Sequence, residues 1–285
     1  MNKEALPFIN HIVAGLQSIA GIIAISLGGS RARGNHTNKS DVDLGIYYYP
    51  EKPPDLVALN HLASELDDQH RINLITPIGE WGKWINGGGW LRVEGVAVDF
   101  LYRDLAQVNR VIDDCHVGQI TIDYQPGHPH GFVSSIYMGE VAICQALYDP
   151  DRVLAALKAK TNPYPGQLKQ ATINTFAWEI SFSLLVAKKA IARHDLVYAA
   201  GCCFRSVACM NQVLFALNEN YLLNEKGAIA IANWFPNCPQ DYQQRLEQAF
   251  ALLAADAQSI TEAIAILEAI EEDLSQWYGN RRIVM

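Results

Sequence analysis

Apolar residues at Leu6, Ile9, Ile12, Val13, Leu16 and Ile19 keep a helical spacing with one apolar face, so residues 4–20 are expected to form an amphipathic helix that Gly21 ends. The pattern then changes. Residues 22–27 are a short unbroken apolar or small run, rich in isoleucine, and read as a buried strand. Residues 44–49 read as a second. After a breaker at 50–54, helical period returns over 55–68 with Leu56, Leu59, Leu62, Ala63 and Leu66 inward, and Asp55 in the first turn where negative charge is favoured. Residues 72–76, 91–93 and 96–102 read as further strands, and 104–116 as a helix. Trp81, Trp84 and Trp90 flank the run Gly87-Gly88-Gly89. They suit core packing or an aromatic lip that stacks a base or sugar.

The segment Pro126-Gly127-His128-Pro129-His130-Gly131 is the clearest break in the chain. Beyond it the period is helical almost throughout. A helix is expected over 136–147, and another, capped by Asp149-Pro150-Asp151, ends near Lys160. A long one over 167–193 should run antiparallel to one over 196–217, followed by 225–235, 239–256 and 259–278. The chain is therefore expected to be α+β, with a strand-bearing domain over 1–125 and a helical bundle over 126–285.

Bulk composition narrows the function. The 285 residues carry a formal charge of −8, and no Lys/Arg run exceeds two residues. That balance argues against nucleic acid as a partner, since phosphate neutralisation needs clustered cations, and it suits a cationic small substrate. Six cysteines, Cys115, Cys144, Cys202, Cys203, Cys209 and Cys238, form no Cys-x-x-Cys pair and read as buried reduced thiols. His116, His128 and His130 lack partners at zinc-ligand spacing, so substrate contact or loop-to-core hydrogen bonds are the expected role of the last two. No run of about 18 uncharged apolar residues exists, so no membrane partner is expected. The start of the chain, with Lys3 and Glu4, lacks a signal-type apolar core; a cytoplasmic, bacterial-type enzyme is expected.

The chemistry is concentrated in Gly28-Gly29-Ser30-Arg31-Ala32-Arg33-Gly34 and in Ser40-Asp41-Val42-Asp43-Leu44. Two glycines at a strand end let the backbone turn sharply and approach a ligand. A helix starting at Ser30 would aim its N–H groups at an anion. Asp41 and Asp43, two apart at the head of a strand, share a face. Their repulsion is relieved by a shared cation, and an all-oxygen set suits Mg²⁺ together with phosphate oxygens. A phosphate cradle followed by a carboxylate pair points to metal-assisted phosphoryl or nucleotidyl transfer. Asp99, in Val96-Ala97-Val98-Asp99-Phe100-Leu101-Tyr102, is a carboxylate in an otherwise apolar strand, costly unless partnered.

Gly-Gly-Ser, Gly34, Ser-Asp-Val-Asp-Leu and the later Asp99 together resemble the nucleotidyltransferase superfamily typified by DNA polymerase β, whose small bacterial members include aminoglycoside and lincosamide nucleotidyltransferases. The resemblance covers roughly residues 22–102. It implies a mixed sheet with flanking helices, followed by a substrate-binding helical bundle. It implies Mg²⁺-dependent transfer of a nucleoside monophosphate, AMP first, from a nucleoside triphosphate to a hydroxyl of a small molecule such as an aminoglycoside-like antibiotic, with release of pyrophosphate. Two Mg²⁺ ions would be held by Asp41, Asp43 and Asp99. Gly28, Gly29, Ser30, Arg31, Arg33, Ser40 and Lys226 would face the nucleotide, although Arg31 and Arg33 suit a solvated helix face equally well. The base would be Asp99 or Glu179, the latter being otherwise a partner for an arginine such as Arg205. Several small relatives build the site across a homodimer. The segment Phe215-Ala216-Leu217-Asn218-Glu219-Asn220-Tyr221, then Asn224-Glu225-Lys226-Gly227, resembles the helical domain of a group of uncharacterised bacterial members. Competing expectations are a regulatory or toxin–antitoxin-type module that binds nucleotide without transfer, and a transferase acting on a protein or RNA.

Overall fold

Alternation decides the sheet. In a computed structural model, which describes residues 7–34, 36–37 and 39–278, every second residue of the central strands is fully buried against helices. The chain runs α1 (Pro7–Leu16), β1 (Ala24–Leu27), α2 (Gly29–Arg33), β2 (Val42–Tyr48), α3 (Leu56–Leu66), β3 (Gly88–Val93), β4 (Val96–Asp104) and α4 (Leu105–His116). There follow β5 (Ile122–Asp123), β6 (Phe132–Val133), α5 (Ile136–Ile143), β7 (Gln145–Tyr148) and α6 (Val153–Ala159). The remainder is helical: α7 (Gly166–Lys188), α8 (Leu196–Leu217), α9 (Ala228–Ala232), α10 (Tyr242–Leu252) and α11 (Ala257–Ser275). Residues 4–6 of the expected first helix lie outside the described residues.

Two compact units result. The first comprises residues 1–114, 121–127 and 132–163, the second 115–120, 128–131 and 164–285. The first holds a five-stranded sheet in the order β3-β4-β2-β1-β7, mixed because β2 and β4 run parallel while every other pair is antiparallel. One face carries Ile25, Val42, Leu44, Ile46, Val98, Phe100 and Tyr102, packed with Ile12 and Leu16 of α1 and Leu59 and Ala63 of α3. Asp55 starts α3 by accepting hydrogen bonds from the N–H groups of Val57 (3.0 Å) and Ala58 (3.1 Å).

The opposite face is covered only in part. Further along β2 and β4, Tyr47 and Arg103 are buried, and α5 supplies the cover. Arg103 Nε and Nη2 each donate to a carboxylate oxygen of Glu140 at 2.8 Å. Burial alone would lower the Arg103 pKa, but Glu140 outweighs it and raises it, so the guanidinium stays charged. The N-terminal ends of β2 and β4 are less covered, and there the face turns polar.

Some elements differ from the sequence pattern. The helix expected over 136–147 stops at Ile143. Cys144 then adopts extended geometry (φ −56°, ψ 153°) and residues 145–148 become β7, the strand beside β1. Residues 72–76 form no strand beyond a single bridge between Ile75 and Gly89. The Gly87–Gly89 run is compact backbone packing. A Cβ on Gly88, at φ +156°, would lie 1.7 Å from the Phe100 carbonyl oxygen, so β3 can approach β4 only with glycine there.

In the second unit α7 and α8 form a long antiparallel pair, α10 pairs with α11, and α11 packs on both α7 and α8. Asp195 caps α8 by accepting from Tyr198 N–H (3.1 Å). α8 is long and apolar enough to cross a membrane, but 72% of that stretch is buried, as befits the core helix of a bundle.

Candidate active site

The site is built on the polar end of the sheet. Gly28 N–H donates to the Asp43 carbonyl oxygen (2.8 Å), which extends the β1–β2 ladder by one residue and ties the glycine turn to the aspartate strand. Gly29 has φ +59°, and a Cβ there would sit 1.8 Å from Asp43 Oδ2. The Asp43 carboxylate thus lies directly against the Gly29 backbone, in space that only glycine leaves open. Gly29 and Ser30 open α2, which Gly34 closes at φ +82° by donating to Ser30 and Arg31 carbonyls.

Asp43 and Asp99 are register partners on the parallel strands β2 and β4. Their side chains therefore leave the same face about 4.8 Å apart at the backbone. Both are half-buried, while Asp41, one residue ahead of β2, is exposed. Trp90 on β3 is the register partner of Asp99 across the antiparallel pair. Its indole is 59% exposed and stacks on Trp81, ring centroids 4.2 Å apart. Glycine turn, Asp43, Asp99 and Trp90 thus lie in a row across four strands. Trp84 is core: it stacks on Phe132, and its Nε1 donates to Asp123 (2.9 Å).

The two arginines of α2 have different surroundings. Arg31 Nε donates to the Asp41 carbonyl (3.0 Å) and the Ser40 carbonyl (3.2 Å), and Nη2 donates to Ser40 again (2.6 Å). Arg33 is half-buried and makes no hydrogen bond or ion pair among the described residues, and its burial lowers its pKa. The Ser40 hydroxyl is used locally, accepting from Thr37 N–H (2.9 Å).

The donor set fits a hard divalent cation. Asp41, Asp43 and Asp99 offer oxygen only, and two of them are in register on adjacent strands. Among the described residues no three such side chains converge closely enough to enclose an ion by themselves. Water and phosphate oxygens would have to complete the shell, which is the habit of Mg²⁺.

Glu179 and Lys226 lie in the second unit. Glu179 is buried and accepts from Arg205 Nε. Lys226 is exposed just ahead of α9, its backbone N–H donating to Asn224 (2.8 Å). In the same unit the His128–His130 loop is tied to the bundle by one carboxylate. Glu225 Oε1 accepts from His130 N–H (2.8 Å), and Oε2 stands 3.6 Å from His128 Nδ1. Burial opposes the charge on Glu225, but His128 and backbone N–H groups outweigh it and hold the carboxyl below its ordinary range. Sequence reasoning singled out the loop but not Glu225 as its partner. It also missed the Arg103–Glu140 pair, for which an arginine in an apolar strand was the available signal.

With this geometry, residues 9–108 match the family model of the nucleotidyltransferase domain. That part of the chain is a nucleotidyltransferase domain, and the enzyme class is nucleotidyl transfer. Residues 134–226 match a domain of unknown function (DUF4037). Among solved structures, a nucleotidyltransferase-like protein from Exiguobacterium sibiricum is similar at 10% identity and a TM-score of 0.41, over 95% of this chain and 76% of that one. No curated protein matches the chain significantly.

Proposed function

We propose that the protein is a Mg²⁺-dependent enzyme that transfers a nucleoside monophosphate, AMP first, from a nucleoside triphosphate to a hydroxyl of a small molecule in the cytoplasm. The observation that carries this reading is the register pair Asp43–Asp99 beside a glycine turn fitted against Asp43. Gly29 and Ser30 would present backbone N–H groups to the β- and γ-phosphates. Asp41 and Asp43 would hold one Mg²⁺ ion, and together with Asp99 a second. When bound, Mg²⁺ neutralises charge developing on the phosphate oxygens. The acceptor oxygen bonds to the α-phosphorus as the bond to the β-phosphate oxygen breaks, and pyrophosphate leaves. Asp99 would also take the hydroxyl proton. Trp90, beyond Asp99 from the glycine turn, offers an indole face on which an acceptor ring can lie. The pairing of Glu179 with Arg205 supports a structural role for that carboxylate.

The test is thermal unfolding with ATP, GTP, CTP and UTP, with and without Mg²⁺. Wild type is compared with an Asp41→Ala, Asp43→Ala double variant. A ligand that binds only the folded state raises its stability. A metal-dependent rise in the wild type alone is expected. No rise with any nucleotide would refute the proposal.

A further inference from the structure

Arg31 stands one residue past Ser30, where a cation is ordinarily assigned to the phosphates. Its hydrogen bonds tell otherwise. Among the described residues Nε and Nη2 make three hydrogen bonds, all to the carbonyl oxygens of Ser40 and Asp41. Asp41 needs such an anchor. It is exposed, and it precedes β2, whose first register pair is Val42 with Val98. Behind it the chain is held by a small turn, in which Ser40 N–H donates to the Thr37 carbonyl (3.0 Å). The planar fork of Arg31 bridges two successive carbonyls, a geometry that a lysine ammonium cannot reproduce. Arg33, two residues on in the same helix, is the contrasting case: it is half-buried and lacks any hydrogen-bonding or ionic partner among the described residues.

We propose that Arg31 is a positioning residue that fixes the backbone of Asp41 relative to the glycine turn, and that Arg33 is the arginine of α2 available to the triphosphate. This rests on the nucleotidyl-transfer reading above. Arg31 thereby couples the phosphate turn, through α2, to one of the cation-binding carboxylates. Its loss should be felt in the metal-dependent part of nucleotide binding and not in the metal-free part.

The experiment is calorimetric titration, in Mg²⁺ and in EDTA, with whichever of ATP, GTP, CTP and UTP binds the wild type. Arg31→Lys, Arg31→Gln and Arg33→Gln are compared, and unliganded thermal unfolding confirms that each is folded. The expected result is that both Arg31 variants lose at least tenfold of the Mg²⁺-dependent gain while metal-free affinity stays within twofold of wild type. Arg33→Gln should instead lower metal-free affinity. The positioning role is overturned if Arg31→Gln weakens metal-free binding by the same factor as Mg²⁺-supported binding, or if Arg31→Lys behaves as wild type, since retained charge would then suffice. Absence of binding by the wild type would instead defeat the underlying nucleotidyl-transfer reading, and this inference with it.

Discussion

Gly29 opens the five-residue helix α2 and Gly34 caps its end, both at positive φ, and what a methyl group would touch sets them apart. At Gly34 a Cβ meets nothing within 4 Å. At Gly29 it would stand 1.8 Å from Asp43 Oδ2, a distance that real Cβ contacts do not reach. Each Gly→Ala change carries about 1–2 kcal/mol of left-handed backbone strain. At ~2–4 °C per kcal/mol, both variants should therefore lose several degrees of melting temperature. In Gly29→Ala the Asp43 carboxylate must also withdraw by roughly 1 Å, and a misplacement of that size costs on the order of 10²-fold in rate. A carboxylate so displaced also leaves the 2.0–2.1 Å range, approximately, that Mg²⁺ demands of its ligands. The assay is the Mg²⁺-dependent nucleotide shift in melting temperature, read beside the unliganded value. Gly34→Ala should keep the nucleotide shift and Gly29→Ala should lose it, though both start from similarly lowered stability. Equal nucleotide responses in the two variants would refute the reasoning.

Glu140→Ala strips the counter-charge from Arg103, whose side chain is 4% exposed, and should cost about 3–5 kcal/mol in denaturant unfolding. The double change Arg103→Met, Glu140→Leu should recover much of that, and a loss under about 1 kcal/mol for the single variant would contradict the pairing argument. Asp67 is buried, and Arg71 holds its carboxyl well below the usual range, with help from the backbone N–H groups of Arg92, Arg71 and Gln69. Because the folded pKa lies below the unfolded one, this contribution is present above about pH 4 and fades as pH falls toward the folded value. Asp67→Asn should flatten that acid limb in pH-dependent unfolding, and an unchanged limb would count against it. His130 has its pKa lowered by burial, with Arg205 adding to the effect and Glu179 and Glu225 opposing it. The unfolded chain therefore takes up the proton first, and stability should decline as pH drops below about 6.5. His130→Phe, keeping the ring contact with Phe176, should lack that part of the decline, and a pH profile identical to wild type would exclude His130 as its source.

Local patterning was enough to find β1, β2 and β4 and the aspartates on two of them, because a short apolar run stands out and an aspartate within it stands out further. Pairing was not legible. That Asp43 lies opposite Asp99 depends on the register between strands more than forty residues apart, which no local period encodes; Trp90 joins the row through the β3–β4 hairpin. The same holds for β7: Gln145-Ala146-Leu147-Tyr148 continues the helical spacing of α5, and only the open edge of β1 turns it into a strand. From its place in the motif Arg31 suited a phosphate contact and a solvated helix face equally well. Its engagement with the Ser40 and Asp41 carbonyls arises from the path of the loop back to α2, a tertiary fact.

The position of β7 bears on how this enzyme can be cut. A fragment ending after the last aspartate strand and its helix would retain every carboxylate and the glycine turn. It would also leave the backbone edge of β1 bare, an invitation to edge-to-edge association, and it would strip α5 from Tyr47 and Arg103 and take Glu140 from the guanidinium. The compact unit that holds the sheet reaches residue 163, into the stretch matched by the second family. Libraries or expression trials designed on the nucleotidyltransferase match alone would discard the part of the sheet that makes the rest behave.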